Sequence, residues 1–186
     1  MSTLPTPLVA LGVTGSIAAY KAADLVSRLT KAGVTVEVIL TSDAQQFITP
    51  LTLKTLSRRA VITSLYDEEE GWKPSHIRVA DEASLMVVAP ATANTIARLA
   101  LGLADDALTS TALALNPKAK FLIAPAMNGK MWLHPATQAH VRTLRERGVE
   151  FIGPEEGMLS CGYEGIGRLW PVEDIARRCL ELLSGG

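Results

Sequence analysis

Short runs of apolar residues recur along the chain and predict the strands of one buried sheet. The first run, residues 8–13, is continuous rather than alternating, which is typical of a parallel strand covered by helices on both faces. The second run is also rich in β-branched residues, which favours a strand. The predicted strands cover residues 8–13, 35–40, 85–89, 121–124 and 150–152.

Between these runs, apolar residues recur at the three- and four-residue spacing of a helix with one buried face. Gly33 follows the first such segment, as helix-terminating glycines do. The regular alternation of strand and helix predicts the α/β class, as a single-domain, doubly wound, Rossmann-like or flavodoxin-like parallel sheet. The predicted helices cover residues 17–32, 44–48, 50–56, 76–80, 95–101, 105–115, 135–147 and 172–183.

Composition narrows the classes of function. A chain of 186 residues is expected to form one domain. Its 18 basic and 19 acidic side chains nearly cancel, so no nucleic-acid or membrane partner is expected. Two cysteines form neither a disulfide framework nor a metal-binding pattern, and no signal peptide is recognised at the N-terminus. We therefore expect a cytoplasmic protein without a metal site.

Small polar residues follow three of the predicted strands. Thr14, Gly15 and Ser16 follow the first strand, residues 91–95 follow the third, and Asn128 lies just beyond the fourth. Ligands of open α/β sheets bind at this carboxyl edge, so the loops predict a small-molecule pocket. Gly15 and Ser16 suit a phosphate at a helix N-terminus, although Ser16 as a plain helix cap is the simpler interpretation of that loop alone.

His76, Asn128 and Cys161 are the candidates for chemistry. A histidine serves as a general acid or base near neutral pH, an asparagine amide holds a carboxylate, and a thiol on a loop donates a proton when its pKa is tuned. The alternatives are a surface histidine, a turn asparagine and an inert cysteine. Cys161 lies in a segment, 154–169, that also contains Gly157, Gly162, Gly165 and Gly167, and these glycines predict a flexible substrate flap.

One eight-residue motif links the chain to a known family. Residues 125–132 read Pro-Ala-Met-Asn-Gly-Lys-Met-Trp, and the chain also contains Gly-Val-Thr-Gly-Ser-Ile-Ala-Ala-Tyr-Lys at 12–21, Pro-Ala-Thr-Ala-Asn-Thr at 90–95, and the pair His76-Ile77. With these segments the sequence resembles the flavin-dependent cysteine decarboxylases over nearly its whole length. The segment Met-Leu-Ser-Cys-Gly at 158–162, followed by Arg168, is most similar to the branch that acts in coenzyme A synthesis.

The resemblance implies FMN as cofactor and a set of residues that hold it. Gly15, Ser16 and Ser42 would bind the FMN phosphate, and Ile17 belongs to the same loop. The ribityl chain and ring would contact the loop after the third strand, and Met127 would pack on the flavin. The implied cofactor-binding set is Gly15, Ser16, Ile17, Ser42, Thr92, Ala93, Asn94 and Met127, and the implied substrate-binding set is Asn128, Met131 and Gly162.

The resemblance also implies the reaction. Phosphopantothenoylcysteine would be oxidised at its cysteine moiety to a thioaldehyde, with His76 as acid or base. Carbon dioxide would then leave to give an enethiolate, with Asn128 binding the carboxylate. Cys161 would donate a proton as phosphopantetheine forms. The family assembles as trimers, some grouped into dodecamers with flavin at subunit contacts, so a homotrimer or homododecamer is expected.

Two alternatives remain open at this point. One is an oxidative decarboxylase that acts on the C-terminal cysteine of a peptide; Cys161 argues against it, because such relatives generally lack the flap cysteine. The other is a non-catalytic FMN-binding regulator, against which His76 and Asn128 both argue. Glu82 and Ser84 depart from the Trp and Asp that the family often carries before the third strand, which affects the local surface more than the chemistry.

Overall fold

The fold is described from a computed structural model of the chain, covering residues 6–66, 73–158, 162 and 164–185. A central sheet of six strands runs in the order β3-β2-β1-β4-β5-β6, and all of its pairings are parallel. The sheet strands are β1 (Leu8–Val13), β2 (Thr35–Leu40), β3 (Val61–Ile62), β4 (Leu85–Ala91), β5 (Lys120–Pro125) and β6 (Glu150–Phe151). A separate hairpin pairs β7 (Glu155–Met158) with β8 (Glu164–Arg168).

Helices connect the strands and cover both faces of the sheet. A 3-10 turn over Ile17–Lys21 precedes the first helix, and a second such turn spans Ala44–Gln46. The helices are α1 (Ala22–Lys31), α2 (Pro50–Ser57), α3 (Ser75–Glu82), α4 (Ala93–Leu101), α5 (Ala107–Leu113), α6 (Gly129–Leu133), α7 (Pro135–Glu146) and α8 (Val172–Ser184). Within the described residues, no helix has the length and apolar character needed to cross a bilayer.

The core consists of two hydrophobic layers, one on each face of the sheet. Leu25 of α1 and Ile175 of α8 are buried in the layer on one face. Ile96 of α4, Leu108 of α5 and Val141 of α7 are buried in the layer on the other face. Strands β1, β4 and β5 lie between these layers, which explains why their sequences are continuously apolar. The doubly wound α/β fold predicted from the sequence is confirmed.

The direction of the strand order changes at β1. From β1 the chain first moves outward to β2 and β3, and it then returns to β4 on the other side of β1. The crossovers on the two sides therefore diverge and leave a crevice at the carboxyl ends of β1 and β4, where such sheets bind ligands. Strand β3 was absent from the sequence prediction, because a run of two residues is too short to produce a recognisable pattern.

Side-chain caps explain why α4 and α5 begin at residues other than the predicted ones. The Thr92 hydroxyl accepts the Thr95 N–H, so α4 begins at Ala93, two residues before the predicted start. Asp106 forms a capping box with Thr109, which makes Asp106 the cap of α5 rather than a residue inside it. Helix α6, which Asn128 caps, was not predicted because its five residues are too few to show a periodic pattern.

The glycine-rich segment contains regular structure. Its described part is an antiparallel hairpin in which Gly157 pairs with Gly165 and Glu155 pairs with Arg168. The flexible flap predicted over residues 154–169 therefore contains two paired strands in its described part, and its flexibility stays a prediction. Glycines weaken the alternating pattern by which a strand is recognised, and close contact between the two strands requires some of them, as described below.

Candidate functional site

A cavity of about 630 Å³ opens at the carboxyl edge of the sheet. It lies between the loops that follow β1, β4 and β5, and the β7–β8 hairpin forms another wall. Its volume falls within the roughly 300–1,000 Å³ typical of sites for small molecules and cofactors. The predicted site residues that line it are Gly15, Ser16, Ile17, Thr92, Met127, Asn128 and Met131.

The loop after β1 is compact and requires glycine at one position. A Cβ on Gly15 would lie 2.4 Å from the Cβ of Asp43, so a larger residue would push the loop away from the end of β2. The Ser16 hydroxyl accepts the Ala18 N–H at 3.3 Å and caps the 3-10 turn. The capping role considered for Ser16 is thus observed, and the same residue lines the cavity.

The loop after β4 is joined to the loop after β1 by a buried hydroxyl. The Thr14 Oγ1 donates to the Pro90 carbonyl oxygen at 2.7 Å and accepts the Thr92 N–H at 3.0 Å. Thr14 is 1% exposed. Ala93 and Asn94 begin α4, and neither is among the described residues that line the cavity.

The turn after β5 presents Asn128 to the cavity. The Asn128 Oδ1 accepts the Lys130 N–H at 2.9 Å and so caps α6. Because a capping side chain is held to its own backbone, this contact orients the amide. Met127 precedes it and Met131 lies one turn later, half exposed, and both line the cavity.

The hairpin packs directly on this turn. The Met127 N–H donates to the Gly167 carbonyl oxygen at 3.0 Å. A Cβ on Gly167, whose φ is +144°, would lie 2.1 Å from the Met127 carbonyl oxygen. A Cβ on Gly129 would lie 2.6 Å from the Ile166 carbonyl oxygen. The two backbones therefore approach more closely than any side chain permits, and β8 is held against the residue that precedes Asn128.

Other predicted residues also lie outside this cavity. His76 is the second residue of α3, on the face of the sheet that also carries α5, and its buried Nδ1 has no hydrogen-bond partner among the described residues. Ser42 lines a smaller cavity of about 170 Å³ at the ends of β2 and β3 and the start of α5. Within the described residues of one chain, neither lines the cavity that Asn128 lines.

Only one of the two cysteines, Cys179, lies within the described residues. Cys161 lies outside the described residues, so its placement remains a prediction; its neighbour Gly162 is exposed with a φ of +91°. Cys179 is fully buried in α8, and burial raises its thiol pKa to about 12. It is therefore an unreactive core residue.

Some cavity-lining side chains belong to segments that carried the family resemblance but were given no role in the site; among them are Tyr20, Lys21, Met158 and Arg168. Tyr20 and Lys21 follow Ser16 within the same 3-10 turn, so proximity in sequence was an available signal. Met158 and Arg168 reach the cavity only because the hairpin folds over it, and the hairpin itself was not predicted.

The chain matches curated relatives over most of its length. It is 44% identical over 178 residues to a Streptococcus mutans protein described as "Probable phosphopantothenoylcysteine decarboxylase", covering 96% of this chain and 99% of that protein. It is 49% identical over 169 residues to the coenzyme A biosynthesis bifunctional protein CoaBC of Bacillus subtilis, covering 91% of this chain. The match spans only 41% of the length of that bifunctional relative.

Solved structures show the same fold. A PPC decarboxylase mutant complexed with pantothenoylaminoethenethiol superposes with a TM-score of 0.86 at 29% identity, over 97% of this chain and 100% of that one. The FMN-dependent cysteine decarboxylase SpaF superposes with a TM-score of 0.81 at 31% identity, over 96% of this chain and 97% of that one. The family model described as Flavoprotein matches residues 2–184. The chain therefore belongs to the flavoprotein family.

Proposed function

We propose that this protein is an FMN-dependent decarboxylase that converts phosphopantothenoylcysteine to phosphopantetheine in coenzyme A synthesis. The observation that carries the proposal is the turn after β5, which presents Asn128 to a cavity of about 630 Å³ at the carboxyl edge of a flavoprotein-family sheet. The name of the Streptococcus mutans relative, whose length the chain matches almost completely, supports the same substrate.

The cavity has the lining that FMN requires. Hydroxyl groups of Ser16 and Thr92 suit the polar phosphate and ribityl chain, and the apolar side chains of Ile17 and Met127 suit the ring. Gly15 keeps the loop close to Asp43, beside Ser42. The name of the structural neighbour SpaF, an FMN-dependent enzyme, supports FMN. Bound FMN supplies reversible two-electron oxidation of the cysteine moiety, which enables the adjacent carboxylate to leave as carbon dioxide.

The side chains of this protein bind the substrate and move its protons. The Asn128 amide donates a hydrogen bond to the substrate carboxylate and adds no positive charge. It therefore orients the carboxylate without forming an ion pair that would oppose its loss as neutral carbon dioxide. We assign His76 as the acid or base at the cysteine moiety. We assign Cys161 as the proton donor that completes the saturated thiol.

We also propose a homotrimer or homododecamer in the cytoplasm. Ile17 and Tyr20 line the cavity and are 56% and 59% exposed, so apolar surface remains at its mouth. A neighbouring subunit that covers this surface would exclude water from the site. Such a contact would also allow His76 of one subunit to act in the cavity of another.

The product formed from phosphopantothenoylcysteine tests this function. Loss of carbon dioxide alone, measured by product mass after incubation with the flavin-loaded protein, is expected. Loss of carbon dioxide together with two hydrogens would mean that the electrons are not returned, and it would favour the peptide-cysteine decarboxylase. An unchanged substrate beside a yellow protein would favour the non-catalytic FMN-binding regulator.

The variant Cys161→Ser tests the last step separately. It is expected to accumulate the oxidised enethiol, because the serine hydroxyl is a much weaker acid than the thiol. The matched control is Cys179→Ser, which changes a buried thiol away from the cavity and is expected to lower stability while leaving the product unchanged. Release of the saturated thiol by Cys161→Ser at the wild-type rate would assign the proton donor elsewhere.

A further inference from the structure

Two cations lie in a cavity lining that otherwise carries no charge among the described residues. They are Lys21, the last residue of the 3-10 turn after β1, and Arg168, the last residue of β8. They come from segments far apart in the chain that line the same cavity. No described residue of the lining contributes a carboxylate to neutralise them. The two side chains therefore attract an anion to this cavity more strongly than helix N-termini alone would.

The Arg168 side chain crosses the hairpin along a path that one glycine keeps open. A Cβ on Gly157 would lie 2.5 Å from the Nη1 of Arg168 and 3.0 Å from its Cδ. The nearest carboxylate oxygen recorded for this guanidinium, Oε2 of Glu155, is 3.7 Å from Nη2. That separation exceeds hydrogen-bond length, so the ion pair leaves the guanidinium donors able to turn toward a ligand.

We propose that Arg168, together with Lys21, binds the phosphate monoester at the far end of the substrate and thereby selects the phosphorylated form. This inference rests on the proposed function. A phosphate monoester is a dianion with three acceptor oxygens, and a guanidinium binds it through paired, charge-assisted hydrogen bonds.

The chemistry of decarboxylation favours the phosphate over the carboxylate as the partner of these cations. The carboxylate loses its charge as carbon dioxide leaves, so a cation held against it would stabilise the substrate more than the transition state and slow the reaction. The phosphate keeps its charge from binding to product release. A cation paired with it contributes equally in both states, and that contribution appears in KM rather than in kcat.

FMN carries the same chemical group, so the test must separate the two sources of phosphate. Steady-state kcat and KM would be measured for phosphopantothenoylcysteine and for pantothenoylcysteine, which lacks the phosphate. Affinities for FMN and riboflavin would be measured on the apoprotein by flavin fluorescence. The variants are Arg168→Ala, Arg168→Lys and Lys21→Ala. The control is Arg177→Ala, which removes an exposed arginine of α8 that pairs with Asp174 at 2.6 Å.

The wild type is expected to prefer the phosphorylated substrate. Arg168→Ala should raise KM for that substrate by roughly 10- to 100-fold, the usual range for lost hydrogen bonds to a charged group, and should reduce the preference by the same factor. Arg168→Lys should recover part of the loss, because it restores the charge without the planar fork. Lys21→Ala should show a smaller loss of the same kind, and Arg177→Ala should match the wild type.

Several results would contradict the role assigned to Arg168 and Lys21. An equal loss on both substrates, or a loss confined to kcat, would overturn the proposal. So would a selective loss of affinity for FMN over riboflavin, which would assign the cations to the cofactor. If the wild-type protein decarboxylated neither substrate, the proposed function itself would be wrong, and the inference that rests on it would fall with it.

Discussion

Thr14 and Pro90 are 76 positions apart in the chain, and a hydrogen bond of 2.7 Å from the Thr14 hydroxyl to the Pro90 carbonyl oxygen joins them. The same hydroxyl accepts the Thr92 N–H at 3.0 Å, so one buried oxygen satisfies one backbone group near the end of β4 and one in the loop that follows. The loops after β1 and β4 form adjacent walls of the cavity. Their separation, and hence the width of the site, depends on this side chain.

Replacing Thr14 with valine tests that dependence. Valine has a similar shape but leaves the buried Pro90 carbonyl oxygen and the partly buried Thr92 N–H without their partner. The loss costs about 1–3 kcal/mol for the carbonyl and less for the N–H. We expect Thr14→Val to lower the free energy of unfolding and to weaken FMN binding, measured by denaturant titration and by flavin fluorescence. Thr14→Ser keeps the hydroxyl and should retain most of the stability and most of the FMN affinity. Equal FMN affinity in the valine variant and the wild type would show that the loops hold their spacing without this bond.

Gly167→Ala is expected to lift the hairpin from the turn that carries Asn128. The added Cβ would lie 2.1 Å from the Met127 carbonyl oxygen, a contact that only backbone movement relieves. We expect a loss of decarboxylation larger than the loss of stability. Gly148→Ala is the control, because Gly148 has a φ of +86° and nothing within 4 Å of the added Cβ. That control imposes backbone strain of about 1–2 kcal/mol without a clash. If both variants lost activity in proportion to stability, the close approach at Gly167 would have no specific role.

Glu37 is a buried carboxylate that ties α3 to the sheet. It lies on β2, is 3% exposed, and accepts Arg78 Nη2 at 2.8 Å and Arg59 Nε at 2.9 Å. Burial alone would raise the pKa of Glu37, but hydrogen bonds from Arg78 and Arg59 outweigh it and hold the pKa below the ordinary value of 4.5. Because the folded-state pKa is the lower one, this group stabilises the fold above pH 4.5, and that contribution is lost as pH falls through the folded-state pKa.

The variant Glu37→Gln should therefore be less stable at pH 7 by about 3 kcal/mol, the lower end for breaking a buried ion pair, since both arginines are partly exposed. Below pH 4.5 the difference from the wild type should narrow, as the wild-type carboxylate becomes protonated. Denaturant titrations across pH 3–7 would measure both. Glu82→Gln is the control, because Glu82 pairs with the same Arg78 but its side chain is 53% exposed. A constant difference across the pH range would mean that the Glu37 pKa is not lowered.

Asn128→Ala is expected to abolish decarboxylation while FMN remains bound. The alanine keeps the turn short but removes the amide that would donate to the substrate carboxylate. Product mass measures the first effect, and the visible spectrum of the purified protein measures the second. Asn116→Ala is matched to it, because the Asn116 Oδ1 accepts the Lys118 N–H two residues on, in the same way that Asn128 accepts from Lys130, but at the opposite edge of the sheet. Full activity in the Asn128 variant would remove that amide from the mechanism.

Much of the secondary structure could be predicted, because it depends on residues that are close together in the sequence. Continuous apolar runs predicted β1, β4 and β5, because burial on both faces favours apolar residues, and β-branched residues predicted β2 although it carries Glu37. The cap at Ser16 could also be predicted, because a capping side chain bonds only to the backbone of its own neighbours. The position of Asn128 beyond a strand end also followed from the chain itself, because the apolar run of β5 ends at Pro125, three residues before it.

The sequence by itself determined the longer strands and helices, the fold class and the loops in which chemistry is expected, whereas the tertiary structure decided which of those loops share a cavity. Strand order placed the loops after β1, β4 and β5 together and placed Ser42 beside a different cavity. Long-range pairing brought Arg168 across Gly157 to the same cavity. Periodicity records only whether a residue is buried or exposed within its own element. Contacts between residues far apart in sequence depend on how complete elements pack, and no local pattern encodes that packing.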